Sequence, residues 1–335
     1  MGVDITLIWA AIIAFGIMMY VVMDGFDLGI GLLFFTVRDK EERDVMMNTV
    51  APVWDGNETW LVLGGAGLYG AFPLAYSVVL SALYLPLIIM LIGLIFRGVA
   101  FEFRFKAHAH RRHVWDLAFI GGSLVATFAQ GVVLGAFING LPVHDHAWVG
   151  GPLDWLRPFP LFCGFALLAA YAQLGCTWLI MKTDGPLQLH MYRLSFRLAW
   201  ALLGVIVLVS IWTPLTHPSI AHRWFSMPNL LYFAPVPVLL VLGFLAKLRA
   251  LALKTTVLPF LITLLVIFLG YSGLAISLWP HIVPPSITLW DAAAPVQSQL
   301  FMLVGTLFIL PFILVYTAWS YYVFRGKVRP GEGYH

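Results

Sequence analysis

Four carboxylates stand out for where they lie. Asp24 and Asp27 fall inside the first long apolar stretch, and Asp55 and Glu58 open the second. Each pair is spaced i, i+3, which sets both side chains on one helix face. Burying a carboxylate in hydrocarbon is expensive, so acids inside membrane spans are rare and tend to be functional. Desolvation and neighbouring like charge both disfavour the ionised form. A group so placed can take up and release a proton near neutral pH, and a line of such groups makes a proton relay. The structural alternative is that Asp24 accepts hydrogen bonds from Trp or Asn across a helix pair while Glu58 sits in interfacial water. The residues alone leave both open.

Arg97 lies within the third apolar stretch, and its natural partner is one of these acids. Glu102, nearer the end of that stretch, is either the mouth of a proton path or a solvated neighbour of Arg104. The ten histidines sit in loops or near span ends: His108, His110, His113, His144, His146, His190, His217, His222, His281 and His335. A transmembrane haem would need an axial His or Met deep in a span. Met18, Met19 and Met23 read as packing, so no haem and no metal is expected on this chain. Cys163 and Cys176 share one helix, roughly 20 Å apart at about 1.5 Å per residue, too far to bridge. There is no phosphate-cradling loop, no Cys-x-x-Cys and no nucleophile triad. Catalysis by this chain alone is not supported.

The elements that must position these groups follow from composition. Hydrophobic residues make up 61% of the chain and charged residues only 10%, against about 25% charged in soluble domains. Lipid as the outer solvent removes the need for a polar face on every element. The 13 Trp suit interfacial anchoring. The net charge of +3 is spread along the chain and leaves no nucleic-acid footprint. The opening apolar stretch is too long for a cleavable leader and lacks an A-x-A site.

A spanning helix needs about 20 mostly apolar residues. The sequence predicts an all-α integral membrane protein with nine transmembrane helices, near 6–35, 54–73, 76–103, 114–138, 159–181, 194–213, 229–246, 256–279 and 298–324. Lys and Arg in short loops set orientation. They cluster after spans one, three, five, seven and nine, and the intervening loops hold only Arg157 and Arg223. That alternation places the N-terminus outside, the C-terminus in the cytoplasm and all four acids in the cytoplasmic half. Phe26-Asp27-Leu28-Gly29 is echoed four spans later by Ala172-Gln173-Leu174-Gly175. The expected division is a four-helix bundle over 1–145, a second over 146–290, and a ninth helix with its tail over 291–335. Gly25, Gly29, Gly64, Gly65 and Gly67 allow close helix approach.

Two motifs are specific: Met23-Asp24-Gly25-Phe26-Asp27-Leu28-Gly29 and Ala51-Pro52-Val53-Trp54-Asp55-Gly56-Asn57-Glu58-Thr59-Trp60-Leu61. With Phe96-Arg97-Gly98-Val99, Pro284-Pro285-Ser286-Ile287-Thr288-Leu289-Trp290-Asp291-Ala292 and Tyr316-Thr317-Ala318-Trp319, they resemble subunit II of the cytochrome bd family of quinol oxidases, from first span to last. The short loops look most like the cyanide-insensitive branch.

The resemblance implies two four-helix bundles plus one helix, in the bacterial cytoplasmic membrane. It implies a partner, subunit I, that carries the haems and the quinol site, and a complex that reduces dioxygen to water and builds proton-motive force. This subunit would hold no haem. Some family members hold a quinone within it, a structural quinone or lipid could lie here, and small single-span accessory subunits can join the complex. The residues matching Asp24 and Asp55 lie on the family's proton path; a family histidine on that path falls where this chain has Arg97 and Gly98. The rival from a different class is an autonomous proton-coupled secondary transporter, which internal repeats would suit. In that case broken helices belong in both halves, yet the acids occur only in the first.

Overall fold

The computed structural model describes residues 4–108 and 110–331; His335 lies outside them. The order is α1 (Ile5–Leu33), α2 (Lys40–Asn48), α3 (Trp54–Ala71), α4 (Pro73–Lys106), α5 (Arg112–Asn139), a small hairpin β1 (Val143–His144) and β2 (Ala147–Trp148), α6 (Pro158–Lys182) and α7 (Gly185–Thr216). Then come α8 (Pro218–Phe225), α9 (Asn229–Phe233), α10 (Pro235–Ala252), α11 (Leu258–Leu278), a second hairpin β3 (His281–Val283) and β4 (Ile287–Thr288), α12 (Leu289–Ala292) and α13 (Val296–Val323).

Among the described residues, eight helices are long and apolar enough to cross a membrane. Each falls where the sequence predicts a span. The other predicted span forms α3, an 18-residue helix whose polar first turns keep it out of that set. The largest departure is at α7. The sequence places Arg193 and Arg197 beside a loop, but the loop is only Thr183 and Asp184, and both arginines are helical. Gly185 takes φ +67° and Pro186 follows at the first helical positions. Proline is tolerated there because its missing N–H would be unsatisfied anyway, and nothing interrupts the helix before residue 194.

The basic loops gather at one end. Arg104, 2% exposed, donates from Nε to Asp116 of α5 at 2.5 Å and from Nη1 to Asp44 of α2. Arg43 joins Asp116 at 2.8 Å, and the Phe34 ring lies against both guanidinium groups. This network clamps α2 across the bundle end. Lys182 donates to the carbonyls of Phe324 and Gly326, and the Val328 N–H bonds the Lys182 carbonyl at 2.9 Å. The chain's last described residues are thereby strapped to the α6–α7 turn.

The opposite end is closed by the β3–β4 hairpin and α12. Trp290 Nε1 donates to Asp4, the N-cap of α1, at 2.8 Å. Asp291 caps α12 reciprocally with Thr288. Both carboxyls lie outside the spans, and hydrogen bonds hold both below the usual carboxylate range, from Trp290 for Asp4 and from Thr288 for Asp291. The Ala294 N–H bonds the Ala71 carbonyl at 2.9 Å, tying α3 to the start of α13. α3 thus runs from the basic end to this one.

The bundle interior packs on small residues. A Cβ at Gly29 of α1 would collide with the Tyr171 carbonyl of α6, and one at Gly175 with the Gly29 backbone. The echoed Leu-Gly pairs therefore meet at the crossing of α1 and α6. Such close backbone approach is how spans associate where lipid removes the hydrophobic drive between helices. The main buried cluster runs through both halves of the chain, from Tyr20 and Phe26 to Leu179 and Met191.

Candidate functional site

Three helices bring the intramembrane charges together. α1 supplies Asp24 and Asp27. α3 supplies Asn57 and Glu58 from its first turns, held close by Gly64, whose open face meets Ile17 of α1. α4 supplies Arg97 from below a kink. Leu83 leaves helical angles (φ −117°, ψ 18°) three residues before Pro86. A proline there cannot bond the carbonyl four residues back, and its ring crowds that carbonyl.

Arg97 is the hub. Its Nη1 donates to Asp24 Oδ1 at 2.5 Å and its Nη2 to Glu58 Oε2 at 3.0 Å. The side chains of Arg97 and Asp24 are both 0% exposed, while that of Glu58 is 30% exposed. Trp54 lies over the guanidinium at 5.9 Å and stacks on Phe101. Asp27, equally buried, accepts from Asn57 Nδ2 at 2.8 Å. The Tyr321 hydroxyl of α13 donates to Asn57 Oδ1 at 2.7 Å. One guanidinium thus faces two carboxyls, with a third one helical turn away. The carboxyls outnumber the cation that faces them.

Several buried atoms here have no partner among the described residues: Asp24 Oδ2, Asp27 Oδ1 and Arg97 Nε. Buried polar atoms in such sites are commonly satisfied by internal water. A second polar line starts one turn away. Gln130 Nε2 donates to Tyr20 at 2.7 Å, and Tyr171 donates to Gln130 Oε1 at 3.0 Å.

Four of the six residues singled out from sequence converge: Asp24, Asp27, Glu58 and Arg97. Asp55 does not join them; it is exposed on the outer face of α3. Glu102 points away too, with a side chain 61% exposed and Lys106 at 3.3 Å. Sequence reasoning missed Asn57, Tyr321 and Gln130. Asn57 lies within the second motif, and Gln130 carried the same signal as the acids, a polar side chain inside a span. Tyr321 carried none. Among the described residues, no three His, Cys, Asp or Glu side chains could hold a metal ion.

The fold agrees with comparisons to known proteins. The chain is 30% identical to the cytochrome bd-I ubiquinol oxidase subunit 2 of Escherichia coli K12, over 96% of this chain and 94% of that one. It is 30% identical to the cytochrome bd ubiquinol oxidase subunit 2 of Bacillus subtilis, over 97% of each. In three dimensions it is similar to a chain in the structure of bd oxidase from Geobacillus thermodenitrificans, with a TM-score of 0.74 at 18% identity, covering 93% of this chain and 99% of that one. The family model for cytochrome bd terminal oxidase subunit II matches residues 5–324, and the chain belongs to that family.

Proposed function

We propose that this chain is the haem-free subunit II of a quinol:dioxygen oxidoreductase and carries protons from the cytoplasm toward a haem-bearing subunit I. The observation that carries the proton role is the buried cluster in which Arg97 faces Asp24 and Glu58, with Asp27 a turn away. A purely structural tie would be served by one carboxylate per guanidinium; the surplus carboxyls supply exchangeable proton sites.

The order of transfer follows exposure. Asp24 and Asp27 are sealed, Glu58 is partly open, and Asp55 is exposed one turn before Glu58 on α3. A proton taken up at Asp55, in the cytoplasmic half, passes to Glu58 and then to the sealed Asp24, from which it would leave toward subunit I. The Arg97 guanidinium keeps its charge throughout and orients both acceptors. Water filling the gaps beside Asp24 Oδ2 and Asp27 Oδ1 would connect the steps. The haems and dioxygen chemistry belong to the partner.

The arrangement in the membrane follows from the gathered basic end, which by the positive-inside rule faces the cytoplasm. α3 then completes nine crossings, with the N-terminus outside and the C-terminus inside, in a bacterial cytoplasmic membrane. The crossing of the echoed motifs at Gly29 and Gly175 supports bundles over 1–145 and 146–290, with 291–335 appended.

The test is oxygen consumption by the intact complex. Asp24→Asn and Glu58→Gln should each slow quinol-driven oxygen reduction at least tenfold, with haem spectra unchanged. Full activity in both variants would remove the proton role.

A further inference from the structure

The two bundles treat their arginines at the basic end differently. In the first bundle Arg43, Arg104 and Arg112 are all paired with Asp44 or Asp116. In the second, residues 182–255 contain a single acid, Asp184, and Lys327 holds it. The remaining cations there have no carboxylate partner among the described residues.

Two of them line one cleft with a histidine. His190, Arg193, Leu194 and Arg197 of α7 surround a space of about 210 Å³. Their spacing, i, i+3, i+4 and i+7, places them on one face, over roughly 10 Å at about 1.5 Å per residue. His190 Nε2 is shut off from water and has no partner among the described residues. Arg193 uses only Nε, on the Leu189 carbonyl at 3.4 Å. Arg197 has no ion pair or hydrogen bond among the described residues. Directly alongside, Leu189, Phe196 and Trp200 are each about half exposed, at 45%, 45% and 52%. The same helix thus presents cations at its basic end and an exposed apolar stripe leading away from them.

We propose that this cleft binds the phosphate headgroup of an anionic phospholipid from the leaflet at the basic end, with an acyl chain laid along Phe196 and Trp200. Two guanidinium groups supply forked donors that fit phosphate oxygens. Basic pockets between spans on the cytoplasmic side are suited to such headgroups. The apolar stripe distinguishes a lipid from a free phosphate, which has no use for it.

The experiment is native mass spectrometry and lipid titration of the purified complex in neutral detergent. The probes are phosphatidylglycerol, cardiolipin, phosphatidylcholine and inorganic phosphate. The intact complex should retain phosphatidylglycerol or cardiolipin, and the double variant Arg193→Gln/Arg197→Gln should weaken that binding at least tenfold. The control Arg223→Gln, which removes one positive charge on α8 away from the cleft, should bind as the parent does. Both cleft arginines are exposed on this chain, and the intact mass in the same spectrum selects the assembled complex for comparison. Equal binding of phosphatidylcholine, unchanged affinity in the double variant, or full displacement by inorganic phosphate would each overturn the proposal.

Discussion

The Arg97–Asp24 pair allows stability and proton transfer to be separated. Two unit charges about 4 Å apart attract by about 4 kcal/mol at an effective dielectric near 20. Both side chains are 0% exposed, so screening gives little discount. Removing one member strands the other, which costs about 3–5 kcal/mol. At roughly 2.1 cal/mol/K per residue, 335 residues have an unfolding entropy near 0.7 kcal/mol/K. Arg97→Gln should therefore lower the thermal midpoint of the complex by roughly 4–7 °C. Asp24→Asn should cost less, because Arg97 keeps Glu58 at 3.0 Å. The double variant removes both buried charges and should regain most of the loss, a coupling of about 2 kcal/mol or more. Oxygen consumption is the second readout. It should stay at least tenfold down in Asp24→Asn and in the double variant, because neither has an ionisable group at position 24. If the double variant recovers activity along with stability, Asp24 serves only as a tie and the proton argument is refuted. Additive midpoint losses would refute the ion-pair argument itself.

Other features make separate predictions. Gly29→Ala should prevent the crossing of α1 and α6, costing about 3 kcal/mol or more as overpacking, while Gly56→Ala, with open space around it, should leave assembly yield unchanged. Arg104→Met leaves Asp116 to Arg43 and Asp44 to Arg112, so it should cost about 1–3 kcal/mol for the lost charged hydrogen bonds and expose α2 to limited proteolysis. The Asp4–Trp290 and Asp291–Thr288 contacts should loosen in acid. Both folded-state pKa values are depressed, so their contribution is complete above the unfolded carboxylate pKa of about 3.9 and fades as pH falls below it. Tryptophan emission followed as pH falls from about 5 to about 2, spanning the carboxylate range, should report Trp290 release, and Asp4→Asn should abolish that transition.

Much of the architecture was legible because lipid imposes a simple rule. Every backbone polar group in hydrocarbon must be satisfied within its own helix, so each long apolar run maps to one helix. The ends were less legible. Arg193 and Arg197 looked like loop charges, yet Gly185 and Pro186 start the helix well before them. Arg43 and Arg104 looked like markers of orientation. Their pairing through Asp116 depends on α2 folding back across the bundle end, which no local pattern encodes.

The sequence by itself determined that carboxylates at 24 and 27 lie in a long apolar helix, that the one at 58 opens the next, and that Arg97 needs one of them, because type, spacing and hydropathy are local properties. Only the tertiary structure decided which carboxylates share a guanidinium. α3 turns Asn57 and Glu58 inward and leaves Asp55 outside, and the α4 face that carries Arg97 to Asp24 carries Glu102 away to Lys106. The rotation of each helix is set by glycine contacts with its neighbours, and those contacts join residues dozens of positions apart.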